Sequence, residues 1–61
     1  MIPIEALQPG TCFVGNINGA EMRIIKIQNN NAVIRDINSG KVFSYGLAAL
    51  SRCNITIAKE G

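Results

Sequence analysis

The chain has 61 residues, a net charge of +2, no histidine, and 48% hydrophobic residues. A chain of this length forms a single domain, residues 1–61, with a small core, and its apolar content argues against disorder. Four scattered acidic residues and two cysteines, with no histidine, offer neither an acid–base pair nor an activated thiolate nor a four-ligand zinc site. We therefore expect no enzyme activity, no cofactor and no metal.

The expected compartment is the cytoplasm. The apolar runs are far shorter than the ~20 residues of a membrane-spanning helix, and residues 1–5 lack the basic start and apolar centre of a signal peptide. In a reducing compartment Cys12 and Cys53 are predicted to be free thiols that behave as small buried apolar residues.

The chain begins with a predicted extended leader, residues 1–8. Pro9 and Gly10 suit the two central positions of a type II turn, because proline presets φ and glycine accepts a positive φ. The β-prone residues 11–14 then predict the first strand.

A tight hairpin is predicted after this strand. Asn18–Gly19 favours a type I′ turn, which needs a positive φ at both central positions. This turn would pair Phe13 with Ile24 and Val14 with Arg23.

The second predicted strand, residues 20–28, changes its hydrophobic parity. In a regular strand, the even-numbered Met22 and Ile24 would point to one face of the sheet. The odd-numbered Ile25 and Ile27 would point to the other face. This change predicts a bulge or bend at Ile24–Ile25. Asparagines 29–31 follow and predict a turn, because asparagine tolerates the left-handed region.

A second hairpin is predicted from residues 32–37 and 41–45, closed by a turn at residues 38–40. A four-residue loop would bury Ile34 and Phe43, whereas a three-residue loop would invert the two faces. The sequence leaves this register open. The four-residue loop pairs Asp36 with Lys41, Ile34 with Phe43 and Ala32 with Tyr45, and leaves Val33, Arg35, Val42 and Ser44 outside.

The last two predicted elements are a short 3₁₀ or helical turn at residues 46–50 and a strand at residues 52–57. Five residues make barely one turn, so a longer helix is not expected. In the strand, apolar residues alternate with polar ones, which indicates one buried and one exposed face. The predicted core is Phe13, Ile24, Ile27, Ile34, Phe43, Leu47, Leu50, Ile55 and Ile57.

Four strands, a short turn and a fifth strand form the order of an SH3-like barrel. The sequence resembles short stand-alone SH3-like proteins of phages and prophages, which share a Leu-x-x-Gly-x-x-Phe start, an Asn-Ala-Val strand and a Gly turn; here these are Leu7–Phe13, Asn31–Val33 and Asp36–Phe43. The resemblance implies an all-β, small five-stranded barrel with one 3₁₀ turn before the last strand. It implies no particular activity, and the acidic segment of that family is missing near residues 46–50.

Two classes of function remain. The first is a small non-catalytic protein-interaction or assembly module, such as a phage-encoded accessory protein that modulates a host factor. The alternative is a weak, largely sequence-independent nucleic-acid-binding barrel. High apolar content and low basic density favour a protein partner or self-association over nucleic acid. The candidate interaction surface contains Arg23, Lys26, Arg35, Lys41, Tyr45 and Arg52.

Self-association is expected because the interior is too small for all ten isoleucines. Ile2, Ile4 or Ile17 could then lie at the surface. As an alternative, the leader could fold back over the barrel and hide its own apolar residues within one chain.

Overall fold

A computed structural model describes residues 2–15 and 19–58. Five strands, one helix and one 3₁₀ turn make up this part of the chain. In chain order they are the 3₁₀ turn Ile4–Ala6, β1 Cys12–Gly15, β2 Glu21–Gln28, β3 Asn31–Asp36, β4 Val42–Gly46, α1 Leu47–Arg52 and β5 Ile55–Ala58. Over this portion of the chain, no helix has the length and apolar character needed to cross a membrane.

All five strands belong to one antiparallel sheet with the order β4-β3-β2-β1-β5. The mostly β architecture and the number of strands confirm the prediction. The sheet does not close, because β4 and β5 lie at its two ends and are not paired with each other. The predicted small five-stranded SH3-like barrel is therefore not confirmed, and this opening determines which apolar residues reach solvent.

The register of β1 with β2 differs from the predicted one. Phe13 lies opposite Met22, and the Gly15 N–H donates to the Ala20 carbonyl at 3.1 Å, so the connection spans residues 16–19. Asn18, half of the predicted turn, lies outside the described residues. A slip of two residues keeps every side chain on its predicted face, so the hydrophobic pattern could not distinguish the two registers.

The parity change in β2 is resolved by the predicted bulge. Ile24 lies opposite Ile34, the pairing shifts, and Lys26 lies opposite Val33. Ile25 is the extra residue and its side chain is exposed. The bulge lets Ile24 and Ile27 share the core face although their parities differ.

Asparagine does adopt the left-handed region in the β2–β3 turn, as predicted. Asn29 and Asn30 have φ values of 52° and 63°. The two flanking strand residues, Gln28 and Asn31, lie opposite each other, so this is a tight two-residue hairpin. Asn31 itself belongs to β3.

This turn supplies a stability prediction. Replacing Asn30 with alanine should lower the free energy of unfolding by about 1 kcal/mol. The left-handed conformation is unfavourable for alanine, whereas the short polar side chain of asparagine makes this conformation easier to adopt because it can form local hydrogen bonds. Asn30→Gly should be at least as stable as the original protein. Chemical denaturation measures both, with Asn38→Ala, an exposed turn residue without a positive φ, as the control. Equal losses for Asn30→Ala and Asn38→Ala would contradict the argument.

The structure selects the four-residue loop in the second hairpin. Ile34 lies opposite Phe43, and the Asp36 N–H donates to the Lys41 carbonyl at 2.8 Å. Gly40 has a φ of 78°, which a glycine adopts without strain. The Pro9–Gly10 turn is also confirmed, since Gly10 has a φ of 92° and the turn is closed by a 3.0 Å hydrogen bond between its outer residues.

Two local predictions are corrected by the structure. The segment after β4 is an α-helix of six residues, Leu47–Arg52, so of the two alternatives predicted for residues 46–50 the helical turn is correct and the 3₁₀ turn is wrong. The 3₁₀ turn lies instead in the leader, at Ile4–Ala6, so the leader is not fully extended. α1 is stabilised by the packing of Leu47 and Leu50 against the core rather than by intrinsic helix preference.

The leader folds back onto α1. The Ser51 hydroxyl donates to the Ile2 carbonyl at 2.6 Å, and the Ile2 N–H donates to the Ser51 carbonyl at 3.0 Å. Leu7 is buried and Ile2 is half-buried against the core, whereas Ile4 is exposed. The alternative in which the leader hides its own apolar residues is therefore correct for Leu7 and wrong for Ile4. Ile17, for which surface exposure was predicted, lies outside the described residues.

Most of the predicted core is confirmed. Phe13, Ile24, Ile34 and Leu50 are buried, and the half-buried Ile27, Leu47 and Ile55 pack against them. The predicted burial of Phe43 and Ile57 is wrong, because both side chains are exposed at the open ends of the sheet. The prediction did not include Leu7 or Ala32, which are buried.

Candidate functional site

An apolar groove opens on the core face of the sheet, between its two ends. Its volume is about 340 Å³. The lining residues come from all five strands, from α1 and from the segment that joins α1 to β5. They are Phe13, Gly15, Met22, Ile34, Phe43, Tyr45, Leu50, Cys53, Asn54 and Ile55.

The groove leaves large apolar side chains in contact with solvent. Phe43 and Tyr45 on β4 are each 41% exposed, and Ile57 on β5, which shares the core face, is 39% exposed. Among the described residues that line the groove, none carries a charged side chain. A concave apolar surface of this kind marks a binding site more often than an isolated surface isoleucine does.

Strand alternation explains why these residues face the groove. Phe43 and Tyr45 lie opposite Ile34 and Ala32 on β3, so all four share the core face. β3 is covered on this face, whereas β4 has no strand beyond it. The same pattern that predicts burial for Phe43 therefore leads to partial exposure once the sheet is open.

Tyr45 and Cys53 meet at the wall of the groove. The Cys53 sulfur lies 3.7 Å from the Tyr45 hydroxyl oxygen. The side-chain hydrogen bond with Cys53, followed by the charge that this thiol acquires on ionisation and by partial desolvation, raises the pKa of Tyr45. The thiol and the phenol are both proton donors, so neither is a base that would activate the other.

Both cysteines are free. Cys12 is buried on the outer face of the sheet, the face opposite the groove, where the Arg23 Nε donates to its sulfur at 3.4 Å. Cys53 is half-buried at the groove. The predicted thiols therefore lie in different surroundings, although β1 and β5 are neighbours in the sheet as expected.

The predicted basic surface is divided by the fold. Arg23 and Arg35 lie directly opposite each other on the outer face, and Lys26 shares that face through its pairing with Val33. Lys41 precedes β4 at the end of the hairpin turn, and Arg52 lies in the last turn of α1. Tyr45 lies on the core face, apart from the three clustered bases.

A shallow depression of about 510 Å³ is lined in part by Arg23 and Arg35. Gly10 and Ile37 contribute to its wall. Like charges directly opposite each other on a sheet are unfavourable, so this place would accept an anion more readily than a cation. The scattered spacing of the bases in the sequence did not predict this cluster, because the bulge in β2 places Lys26 on the same face as Arg23.

Within residues 2–15 and 19–58, no three potential metal-binding side chains lie close enough to hold an ion. Asp36 accepts hydrogen bonds from the N–H groups of Asn38 and Ser39, at 2.9 and 3.1 Å, and so serves the hairpin turn. Its role is structural.

The chain is thus a small protein built on one open, five-stranded antiparallel sheet with an apolar groove on its core face. Comparison with known proteins finds no match to a family model, to a curated protein or to a solved structure. The functional argument therefore rests on the groove, the sheet edges and the outer basic cluster.

Sequence reasoning missed the groove although it identified most of its residues. Tyr45 alone appeared in the predicted interaction surface, and Phe43 was assigned to the core. The available signal was the composition of residues 42–46, an uncharged segment with two aromatic residues, which is unusual for an unprotected edge strand.

Proposed function

We propose that this protein is a small non-catalytic protein-interaction or assembly module that binds an apolar segment of another polypeptide through the groove. The observation that carries the proposal is the partial exposure of Phe43, Tyr45 and Ile57 on the core face of the sheet. Aromatic residues that remain solvent-accessible in a concave site contribute strongly to binding when a partner covers them.

The lining chemistry supports a polypeptide partner over a small polar ligand. The part of the groove formed by residues 2–15 and 19–58 has no charged side chain to neutralise a ligand charge, and Asn54 and Tyr45 are among its few polar groups. The adjacent edge of β4 has backbone groups that can pair with an extended chain. In strand addition, an extended peptide pairs its backbone with an open sheet edge while its side chains bind an adjacent surface. The edge of β4 and the apolar groove beside it offer both features.

The proposal extends to the biological setting that the sequence resemblance implies. In this setting the module is a phage or prophage accessory protein that acts on a host factor in the cytoplasm, with a strand order related to SH3-like barrels. The support is the sequence pattern of residues 7–13 and 31–43, together with the five-stranded antiparallel sheet.

Selection from a displayed library of random peptides of about ten residues tests the groove. We expect binders that are extended, apolar and poor in charge, and whose addition shifts the NMR signals of Phe43, Tyr45 and Ile55. Phe43→Thr should weaken the binding of a selected peptide by at least about tenfold, because it removes an aromatic anchor while keeping strand preference.

Val42→Thr is the matched control, since Val42 is the preceding residue of the same strand but lies on the outer face. It should leave binding within about twofold, and circular dichroism checks that both variants remain folded. Selected peptides whose signals map to the outer face, or whose affinity is equal for the two variants, would overturn the proposal.

The second candidate function is weak, sequence-independent binding of nucleic acid by the outer face. The observation that favours it is the position of Arg23, Arg35 and Lys26 on one face. Titration with random-sequence DNA and RNA at two salt concentrations tests it, because phosphate contacts weaken steeply with salt. Salt-sensitive binding that is reduced by Arg35→Ala but not by Arg52→Ala would favour this candidate over the groove.

A further inference from the structure

The outward backbone groups of β4 can be identified from its pairing with β3. The Asp36 N–H donates to the Lys41 carbonyl, and the Leu47 N–H donates to the Asn30 carbonyl. In an antiparallel pair the hydrogen-bonded positions alternate, so between these bonds Phe43 and Tyr45 also direct their backbone groups toward β3. The N–H and carbonyl groups of Val42 and Ser44 therefore point away from the sheet.

Strand β4 also lacks the features that normally prevent edge pairing. Residues 42–46 contain no charge, no proline and no bulge, and the first four are all exposed. At the other end of the sheet, β5 is shorter, and its first and last residues are half-buried. An unprotected, exposed edge with large apolar side chains is the kind of strand on which another strand adds.

We propose that the occupant of this edge is a second copy of the same chain, joined by antiparallel pairing of β4 with β4 about a two-fold axis at Ser44. This inference rests on the proposed interaction function and names the partner. The result is an isologous dimer in which the two sheets form one continuous sheet.

The sequence of β4 is self-complementary in this register. Ser44 lies opposite Ser44 of the second copy, and both have outward N–H and carbonyl groups that can exchange hydrogen bonds. Phe43 then lies opposite Tyr45 of the second copy at positions without hydrogen bonds, where side chains approach most closely. Both aromatic residues lie on the core face, so each pair covers part of the open groove, and aromatic cross-strand pairs are favourable.

The charge pattern agrees with a second copy. Lys41 would lie opposite Leu47 of the second copy, so no two lysines face each other across the axis. Arg52 lies in the last turn of α1, beyond the paired segment. A partner strand that contained charged residues would place some of those charges against the apolar groove. A second copy of β4 contains no charged residue and therefore places no charge there.

The area that this pairing covers predicts a weak dimer. An exposed fraction of 41% of a surface of about 200 Å² leaves about 80 Å² on each of Phe43 and Tyr45. Summed over the edge side chains of two copies, the interface amounts to several hundred Å², below the roughly 1,200 Å² of a standard interface. The dimer should therefore form reversibly and depend on concentration.

Sedimentation equilibrium at about 10 µM and about 1 mM tests the association. The mean mass should rise from near the monomer mass of 6.5 kDa toward twice that value. Ser44→Lys should raise the dissociation constant at least about tenfold, because the axis brings two ammonium groups together. Asn38→Lys adds the same charge in the exposed β3–β4 turn and should leave the mass distribution unchanged.

Disulfide trapping tests the register. In a Cys53→Ser background, Ser44→Cys should form a covalent dimer under mild oxidation, because hydrogen-bonded neighbours across an antiparallel pair have Cα atoms about 5.5 Å apart, within reach of a disulfide. Val42→Cys should not, since its counterpart lies opposite residue 46. Trapping at position 42 in preference to 44 would overturn the register, and a mass of 6.5 kDa at both concentrations would overturn the dimer.

These failures are separate from a failure of the proposed function. A monomer that still binds selected peptides in the groove would reject the second copy as partner and retain the interaction module. A monomer that binds no peptide in the groove would reject both.

Discussion

Replacing Ile24 with alanine is expected to remove a large part of the protein's stability. Ile24 has an exposure of 0% and lies opposite Ile34 at the centre of the sheet, next to the bulge. Removing a buried isoleucine side chain to Cβ costs about 2–5 kcal/mol, and a domain of this length has a total stability of only about 3–9 kcal/mol. Thermal denaturation followed by circular dichroism should show a midpoint at least about 10 °C lower.

The neighbouring isoleucine is the matched control. Ile25 is the extra residue of the bulge and is 42% exposed, although it has the same side chain on the same strand. Ile25→Ala should change the stability by less than about 1 kcal/mol. Similar losses for the two variants would show that the bulge lies elsewhere and that the core face of β2 is assigned wrongly.

The second large effect is expected in the leader. Leu7 is 2% exposed and packs in the same cluster as Phe13 and Leu50, so Leu7→Ala should destabilise the protein by about 2–5 kcal/mol. The loss would be large for a residue outside every strand and helix, since such positions normally tolerate change. Urea denaturation measures the difference in free energy of unfolding.

Ile4→Ala serves as the control for Leu7→Ala. Ile4 lies three residues earlier in the same leader and is 45% exposed, so its truncation should cost less than about 1 kcal/mol. A stability unchanged by Leu7→Ala would contradict the packing of the leader against the sheet and α1.

The sequence predicted the strands, turns and bulge well because these features depend on near neighbours. Gly10, Asn29, Asn30 and Gly40 have the positive φ values that their residue types favour. The change of parity at Ile24–Ile25 identified the bulge, since a strand with one core face requires an extra residue there. The first hairpin was misassigned because a two-residue slip preserves both faces.

The candidate site was only partly predictable. Tyr45 was identified, but the partial exposure of Phe43 and Ile57 follows from the absence of pairing between β4 and β5. The common face of Arg23, Arg35 and Lys26 likewise depends on the bulge register. The composition of residues 42–46 and the parity change at Ile24–Ile25 are local signals, but the edge position of β4 and the pairing of Arg23 with Arg35 depend on residues that are distant along the chain.

By itself the sequence determined the class of the fold, the number of strands, the positions of most turns and the central core residues. Local backbone preferences and alternating hydrophobicity are sufficient for these, since both act over a few residues. Tertiary structure alone decided that the sheet stays open, that the leader contributes Leu7 to the core, and that β4 presents aromatic residues at a free edge. The order of the strands in the sheet and the packing of the leader against the core control these outcomes, and both depend on long-range contacts.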